Sequence, residues 1–278
     1  MDVPIRAAET VEIAPDTHHI RFLAGEGVNP VSMFVNSMVI TGDEPVIVDC
    51  GPAIVRDAWL DAAFSVVDPA DVKWIYLSHD DGDHVGNLLP VLDLCPDATI
   101  VSNWFMVERM LGDFGVLPLD RMRWVNDGER FRAGGRDLIA VTPPTYDSPT
   151  TRGLFDTRTG VYWAADSFGC AVTHEVRELG ELDGDFWPGV FLQVNAMLSP
   201  WHRWLDTAKY QAHLDRIAAL DASVVAGAHG PMVTGAQIGA ALELFAQLPD
   251  KEPNVEPGQA QLDAMRAALT AVGAEVAA

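Results

Sequence analysis

Residues 78–87 read S-H-D-D-G-D-H-V-G-N, and this stretch decides the fold assignment. Two imidazoles and three carboxylates fall within six positions, at His79, Asp80, Asp81, Asp83 and His84. Carboxylates packed this closely repel one another, and a bound cation offsets the repulsion. Mixed imidazole and carboxylate ligands suit zinc, iron or manganese, whereas oxygen ligands alone suit calcium or magnesium. The stretch predicts a metal site, and a solvated acidic loop is the alternative.

The residues around the stretch predict that it lies on a loop. Residues 73–77 (K-W-I-Y-L) are a short apolar run that predicts a buried strand. Residues 86–94 (G-N-L-L-P-V-L-D-L) resume an apolar run that indicates a helix. Ligand-binding residues often occupy loops that a rigid scaffold positions, so this placement favours the metal-site interpretation.

Three later polar segments each follow a predicted strand. They are Y-D-S-P at 146–149, D-S-F-G at 166–169 and H-G-P at 229–231. A closed site for two metal ions needs ligands that arrive from several strand ends. These segments therefore lower the weight of the solvated-loop alternative.

The remaining pattern alternates short strands with helices. Apolar and turn signals predict strands at 32–40, 45–48, 99–102, 123–125, 138–141, 153–155, 161–164 and 223–226, and helices at 54–66, 103–111, 205–220 and in the tail from 252. This order is satisfied by two sheets flanked by helices.

Composition limits the class of partner. The chain has 278 residues, 49% of them hydrophobic, and a formal net charge of −22. Nucleic acids and anionic membranes need a positive surface, so we expect neither as a partner. The three cysteines are widely spaced and contain no C-x-x-C, which indicates reduced thiols and a cytoplasmic protein. The N-terminus lacks the apolar region of a signal peptide.

The quoted segments resemble the metallo-β-lactamase superfamily. S-H-D-D-G-D-H-V-G-N is similar to its H-x-H-x-D-H signature, with Asp81 in place of the second histidine. V-I-V-D-C-G resembles the strand that ends in a structural aspartate, here Asp49, and A-G-A-H-G-P resembles the segment that delivers the last histidine. The resemblance implies an α/β (α+β) fold, the four-layer αββα metallo-β-lactamase sandwich. We expect residues 1–278 to form one such domain, with a C-terminal helical tail from about 252.

A carboxylate at position 81 and the D-S-F-G segment resemble flavodiiron proteins and related oxygen-binding di-iron proteins, which carry H-x-E-x-D-H and D-A-F-G. The resemblance implies two metal ions and assigns their ligands. One ion would be held by His79, Asp81 and Asp147, the other by Asp83, His84 and His229, and both would be bridged by Asp166.

The sequence departs from the flavodiiron pattern at two ligand positions. Asp81 is one methylene shorter than the usual glutamate, and Asp147 stands where the family has histidine. With three histidines and four aspartates, the ligand set favours iron, with manganese or zinc as alternatives. The substitutions also leave open that one metal position is weak or empty.

Two aromatic residues outside the motif are candidates for the surroundings of the site. Tyr146 precedes Asp147 and could act as a ligand or proton donor, with packing as the alternative. His202 lies in S-P-W-H-R-W and could line the substrate cavity beside Trp201 and Trp204, although aromatic residues at such spacing more often pack in a core.

Three functions fit these residues. The first is a non-haem di-iron protein that reacts with or senses dioxygen or nitric oxide; without a fused FMN domain it would need a separate reductase. The second is a metallohydrolase for a small ester, lactone or thioester, in which Asp83 would orient or deprotonate a metal-activated water. The third is a non-catalytic sensing module with a weakened site. The first is favoured, the partner is a small substrate or a diatomic gas, and a homo-oligomer stays open.

Overall fold

The computed structural model describes the backbone of residues 3–276 and the side chains of residues 3–267. Met1, Asp2, Ala277 and Ala278, which belong to the predicted domain and its tail, lie outside the described residues. The strands are β1 (Ile5–Ala7), β2 (Val11–Ala14), β3 (Thr17–Ile20), β4 (Phe22–Ala24), β5 (Met33–Phe34), β6 (Ser37–Ile40), β7 (Val46–Val48), β8 (Trp74–Tyr76), β9 (Thr99–Ser102), β10 (Met122–Trp124), β11 (Arg130–Ala133), β12 (Arg136–Val141), β13 (Gly153–Asp156), β14 (Val161–Trp163), β15 (Val224–Ala226) and β16 (Val233–Thr234). The helices are α1 (Arg56–Phe64), α2 (Gly82–Val85), α3 (Leu88–Leu94), α4 (Trp104–Phe114), α5 (Trp187–Leu198), α6 (Thr207–Ala218), α7 (Ala236–Phe245) and α8 (Gln259–Val276).

The strands form two large sheets and one small sheet. The larger sheet has the order β10-β9-β8-β7-β6-β3-β2, and its strands β7 to β10 pair in parallel. The second has the order β11-β12-β13-β14-β15-β16, with β14 and β15 parallel. A three-stranded sheet, β1-β4-β5, completes the set. The parallel strands deliver their carboxyl ends to the same edge of each sheet, which is where ligand sites form in such folds.

Three apolar clusters show that the sheets and helices are stacked in four layers. One cluster, which includes Val48, Tyr76, Leu138 and Trp163, lies between the two large sheets. A second covers the outer face of the seven-stranded sheet with α1, α3 and α4, and a third covers the six-stranded sheet with α5, α6 and α7. The predicted αββα sandwich is confirmed.

The strand predicted over 32–40 is two strands in different sheets. β5 pairs with β4 in the small sheet, and β6 pairs with β3 and β7. Asn36 interrupts the run, because its Nδ2 donates to the carbonyls of Gly227 and Gly230, each at 3.0 Å. At this point the side-chain hydrogen bonds of Asn36 take the place of strand pairing. They attach the chain to the loop that carries His229.

In the 78–87 stretch, only the residues before Gly82 form the predicted loop. Helix α2 begins at Gly82, so Asp83 and His84 lie on one helical turn rather than on the predicted loop. A Cβ at Gly86 would lie 2.5 Å from the backbone nitrogen of Ala53, so only glycine allows α2 to approach the loop after β7. Asn87 then binds this loop, because its Nδ2 donates to the carbonyl of Cys50 at 2.8 Å.

Two further helices were not predicted, and residues without regular structure precede the predicted tail helix. Helices α5 and α7 cover the six-stranded sheet, and their apolar residues are too evenly distributed to give a clear amphipathic stripe. The tail helix α8 begins at Gln259, after residues without regular structure. Among the described residues, no helix combines the length and hydrophobicity needed to cross a membrane.

We expect Gly51→Ala to lower the free energy of unfolding by about 3 kcal/mol, since it combines backbone strain with overpacking. Gly51 has φ +65°, and an added Cβ would lie 2.3 Å from Cδ1 of the fully buried Trp59. Gly128→Ala is the matched control, because Gly128 has φ +81° but no atom within 4 Å of the added carbon. It should cost only about 1 kcal/mol. Urea unfolding measures both values, and equal losses would contradict the steric role of Trp59.

Candidate metal centre

The predicted ligands converge at one edge of the sandwich. His79 and Asp81 follow β8, Asp83 and His84 lie on α2, and the later ligands follow strands β12, β14 and β15. Three groups have ligating atoms within 4.8 Å of one another: His79, His84 and Asp166; Asp83, His84 and His229; and His79, Asp81 and Asp147. All seven side chains that the sequence assigned as ligands are thus brought together.

Asp166 lies at the centre of this constellation. Its Oδ1 is 2.9 Å from Nε2 of His84 and 3.3 Å from Nε2 of His229, and its Oδ2 is 3.4 Å from Nε2 of His79. The Oδ2 atom of Asp83 lies 3.2 Å from Nε2 of His229. One carboxylate therefore faces both halves of the cluster, which is the position that a bridging ligand requires.

The ligating atoms lack partners of their own. Nε2 of His79, Nε2 of His84 and Oδ1 of Asp166 are buried and make no hydrogen bond. Asp81 occupies the N-cap position of α2, yet its carboxylate caps no backbone N–H. Buried polar atoms without partners are costly, and several that point at one another indicate a missing cation. The residues present therefore fit a metal centre.

Two of the imidazole rings are held in place by their Nδ1 atoms, on the side away from the ligating Nε2 atoms. Nδ1 of His84 donates to Oδ2 of Asp49 at 2.9 Å, and Nδ1 of His229 donates to the carbonyl of Phe34 at 3.0 Å. These contacts place the proton on Nδ1 and leave Nε2 as the ligating atom. Asp49 also accepts from the indole of Trp163 at 3.0 Å. The structural role predicted for Asp49 consequently includes the orientation of a ligand.

Electrostatic coupling links the buried members of the cluster. Burial opposes ionisation of Asp166, but the surrounding histidines outweigh it and hold the pKa of this carboxyl well below its usual value. Burial also favours neutral imidazoles at His84 and His229, yet the charge of Asp166 outweighs it and raises the pKa of both well above the usual value. A cation would take the place of these protons, so we expect metal binding to release protons.

Asp147 is in a different electrostatic position. Desolvation, and after it the negative charge of Asp166, raise the pKa of Asp147 above its usual value. A raised pKa means that the charged carboxylate has too little positive charge nearby. A cation held with His79 and Asp81 would supply that charge.

The cluster is open on one side. The side chains of His79 and His84 are fully or almost fully buried, whereas that of Asp81 is 46% exposed and that of Asp83 is 33% exposed. Asp147 is exposed as well. A small molecule can therefore approach the cluster from the side of Asp81 and Asp147.

Asp80 does not belong to the cluster, although it lies within the motif. Its carboxylate binds the guanidinium of Arg109 and accepts from Thr150 Oγ1 at 2.6 Å. Thr150 lies three residues after Asp147, so Asp80 joins the loop of the motif to the loop of Asp147. Arg109 lies on a predicted helix with no motif around it, and nothing in the sequence pointed to this contact.

Asn195 is a second positioning residue that sequence reasoning missed. Its Oδ1 accepts from Thr145 Oγ1 at 3.0 Å and from the backbone nitrogen of Phe168 at 3.1 Å. Its Nδ2 donates to the carbonyl of Gly169 at 3.0 Å. One fully buried amide thereby fixes the loops that carry Asp147 and Asp166. A polar residue within the apolar run 186–198 was the available signal.

The structure places the two aromatic candidates in different surroundings. Tyr146 packs on Trp201, with ring centroids 4.8 Å apart, and lines a cavity of about 530 Å³ beside the Asp147 loop. His202 is fully buried and lines another cavity, to which none of the seven candidate ligands contributes. That His202 contacts the substrate remains a prediction.

Comparison with known proteins identifies relatives of this chain. A family model described as "ODP family beta lactamase" matches residues 33–230. The putative diflavin flavoprotein A 2 of Nostoc sp. is 28% identical over 238 residues, which cover 81% of this chain and 39% of that protein. The nitric oxide reductase of Moorella thermoacetica is 20% identical over 148 residues, covering 53% of this chain and 37% of that protein.

Solved structures show the same fold. The rubredoxin oxygen:oxidoreductase from Desulfovibrio gigas superposes with a TM-score of 0.76 at 16% identity, covering 88% of this chain and 63% of that chain. The present chain spans about two fifths of the length of the first diflavin relative, 39%. Residues 33–230, which the family model matches, include all seven candidate ligands.

We expect Asp49→Asn to weaken metal binding by about 10- to 100-fold, because it removes the charged acceptor that orients His84. Asparagine tolerates the φ of +60° at this position, so the backbone should be retained. Asp97→Asn, on an exposed side chain, serves as the control. Competition with a chelator measures the affinity. An affinity equal to that of the control, in folded protein, would exclude this role for Asp49.

Proposed function

Because this chain belongs to the ODP family of beta-lactamase-fold proteins and resembles flavodiiron proteins in fold, we propose that it is a non-haem di-iron protein that reacts with or senses dioxygen or nitric oxide. The observation that carries the proposal is the convergence of three histidines and four aspartates whose ligating atoms point at one another. Four carboxylates make this donor set hard, which favours iron over zinc.

The proposed ligand assignment divides the cluster in two. His79, Asp81 and Asp147 would hold one iron, Asp83, His84 and His229 would hold the other, and Asp166, which faces both groups, would be shared. The first position is the more open, since Asp147 is exposed and the side chain of Asp81 is 46% exposed. It is therefore the position at which a diatomic molecule has the freest access.

The names of the relatives support the choice of substrate class. One relative is a nitric oxide reductase, and one neighbour in fold is a rubredoxin oxygen:oxidoreductase. Since those proteins are much longer than the matched region, their activities come to this chain as proposals. We propose a separate electron donor for the centre, because the reduction of a diatomic molecule consumes electrons.

The residues of this chain have definable tasks in such a reaction. A bound iron pair would supply electrons to a diatomic ligand. Asp49 and the carbonyl of Phe34 keep the Nδ1 protons of His84 and His229 in place, so that these rings do not turn away. His229, His84 and His79 keep Asp166 ionised.

The hydrolase alternative is not favoured, because the relatives are flavoproteins and reductases. The metal centre itself provides the test. We expect protein expressed with iron, manganese and zinc all available to contain about two iron ions per chain. Its reduced form should change its optical and Mössbauer spectra when dioxygen or nitric oxide is added. About two zinc ions with no redox response would contradict the proposal, and so would a metal content near zero after reconstitution.

A variant pair at position 147 tests whether Asp147 is a ligand. We expect Asp147→Ala to lose about one metal ion per chain, since the more open position would keep only His79, Asp81 and the shared Asp166. Asp147→His restores a ligand and should retain both ions. Asp97→Ala controls for loss of a surface carboxylate. Metal analysis after dialysis against a weak chelator measures the content, and full occupancy in Asp147→Ala would exclude position 147 as a ligand.

A further inference from the structure

A second cavity lies apart from the metal centre and has a different chemical character. It has a volume of about 580 Å³ and is bounded by α5, by the 3₁₀ helix Pro200–Trp204 and by residues 253–257. Its walls are mainly apolar and include Ala196, Met197 and Pro253. This is the size and lining of cavities that hold small organic molecules.

His202 is the distinctive polar group of this cavity. It is fully buried, and its Nδ1 donates to the carbonyl of Leu248 at 2.7 Å. A neutral imidazole that donates from Nδ1 offers a lone pair at Nε2. The Nε2 atom of His202 is buried and has no hydrogen-bond partner. Leaving a buried acceptor unpaired costs free energy, so we expect a hydrogen-bond donor to bind Nε2.

The surroundings restrict the chemistry of that partner. Lys and Arg are absent from the lining residues, whereas Glu256 is among them. An anion would meet a negative side chain with no positive one to offset it. The apolar walls disfavour a strongly hydrated cation. A neutral, mainly apolar molecule with one O–H or N–H donor satisfies both the walls and the imidazole.

We propose that the His202 cavity is a binding site for such a molecule, which donates a hydrogen bond to Nε2 of His202, and that its occupancy is coupled to the metal centre. The walls of the cavity connect it to the metal centre. Ala196 on α5 lines the cavity, and its neighbour Asn195 fixes the loops of Asp147 and Asp166.

The 3₁₀ helix gives a second connection between the two sites. His202 lies in the wall of the cavity, whereas Trp201 on the same turn packs on Tyr146 next to Asp147. Ser199 Oγ, immediately before this helix, accepts from the nitrogen of Tyr146 at 2.9 Å and donates to its carbonyl at 3.1 Å. A displacement of either wall therefore reaches residues 145–147. Binding at the cavity stands without the proposed function, but the coupling rests on it.

The binding test uses p-cresol as probe and 4-methylanisole as its matched analogue, which has the same ring but no hydroxyl donor. We expect p-cresol to bind one site roughly tenfold more tightly than 4-methylanisole, as one hydrogen bond implies. In ¹⁵N-labelled protein, p-cresol should shift the Nε2 resonance of His202. Equal affinities, or no binding of either compound up to its solubility, would overturn the site and indicate that only water satisfies the imidazole.

Two variants assign the binding to the cavity. His202→Asn keeps a donor close to the position of Nδ1 but removes the Nε2 acceptor, so it should lose the preference for p-cresol. His174→Asn, at an exposed position, should leave that preference unchanged. Ala196→Leu places a larger side chain in the wall and should weaken both probes. Unchanged binding in Ala196→Leu and in His202→Asn would contradict the proposal even if one variant folds poorly.

Reciprocal titrations test the coupling separately. If the sites are coupled, metal loading changes the dissociation constant of p-cresol by the same factor by which p-cresol changes the metal affinity. Equal affinities with and without metal would overturn the coupling and leave the cavity site standing. Binding of p-cresol to protein that takes up no iron would show failure of the proposed function alone.

Discussion

The candidate metal centre depends on the hydrogen bonds that the buried carboxylate of Asp49 accepts. It accepts four hydrogen bonds, from the nitrogen and hydroxyl of Ser78, from Nδ1 of His84 and from the indole of Trp163. Ser78 follows β8 in one sheet, and Trp163 ends β14 in the other. A buried charge is tolerated only when it is satisfied in this way. Asp49 therefore fixes the spacing of the two sheets at the edge where the ligands meet.

The same edge concentrates negative charge that needs a counterion. Four carboxylates face three imidazoles, and the shifted pKa values of Asp166, His84 and Asp147 show that protons only partly balance them. A cation balances them without requiring protons on the ligating nitrogens. The aspartate at position 81 fits this account, because its carboxylate is free of the capping role that an N-cap aspartate usually takes.

The sequence predicted the αββα fold and the convergence of the seven proposed ligands because both depend on short-range signals. His79 to His84 form one motif, and Asp147, Asp166 and His229 each follow a strand whose end could be recognised. The contacts that position them were not predictable, since Asp80 meets Arg109 and Asn195 meets Thr145 and Phe168 only after the layers have packed. Helix α5 was missed because its apolar residues face both the sheet and a cavity, which removes the amphipathic pattern.

The two halves of the centre differ in how they are held. His84 is bound through Asp49 to strand ends of both sheets, and such elements have little freedom to shift. The loops of Asp147 and Asp166 are instead held through Asn195 on α5 and through the packing of Tyr146 on Trp201 of the 3₁₀ helix. A change in packing around α5 would consequently move Asp147 relative to His79 while leaving His84 in place. The more open half of the cluster is thus also the one whose geometry the outer helical layer can adjust.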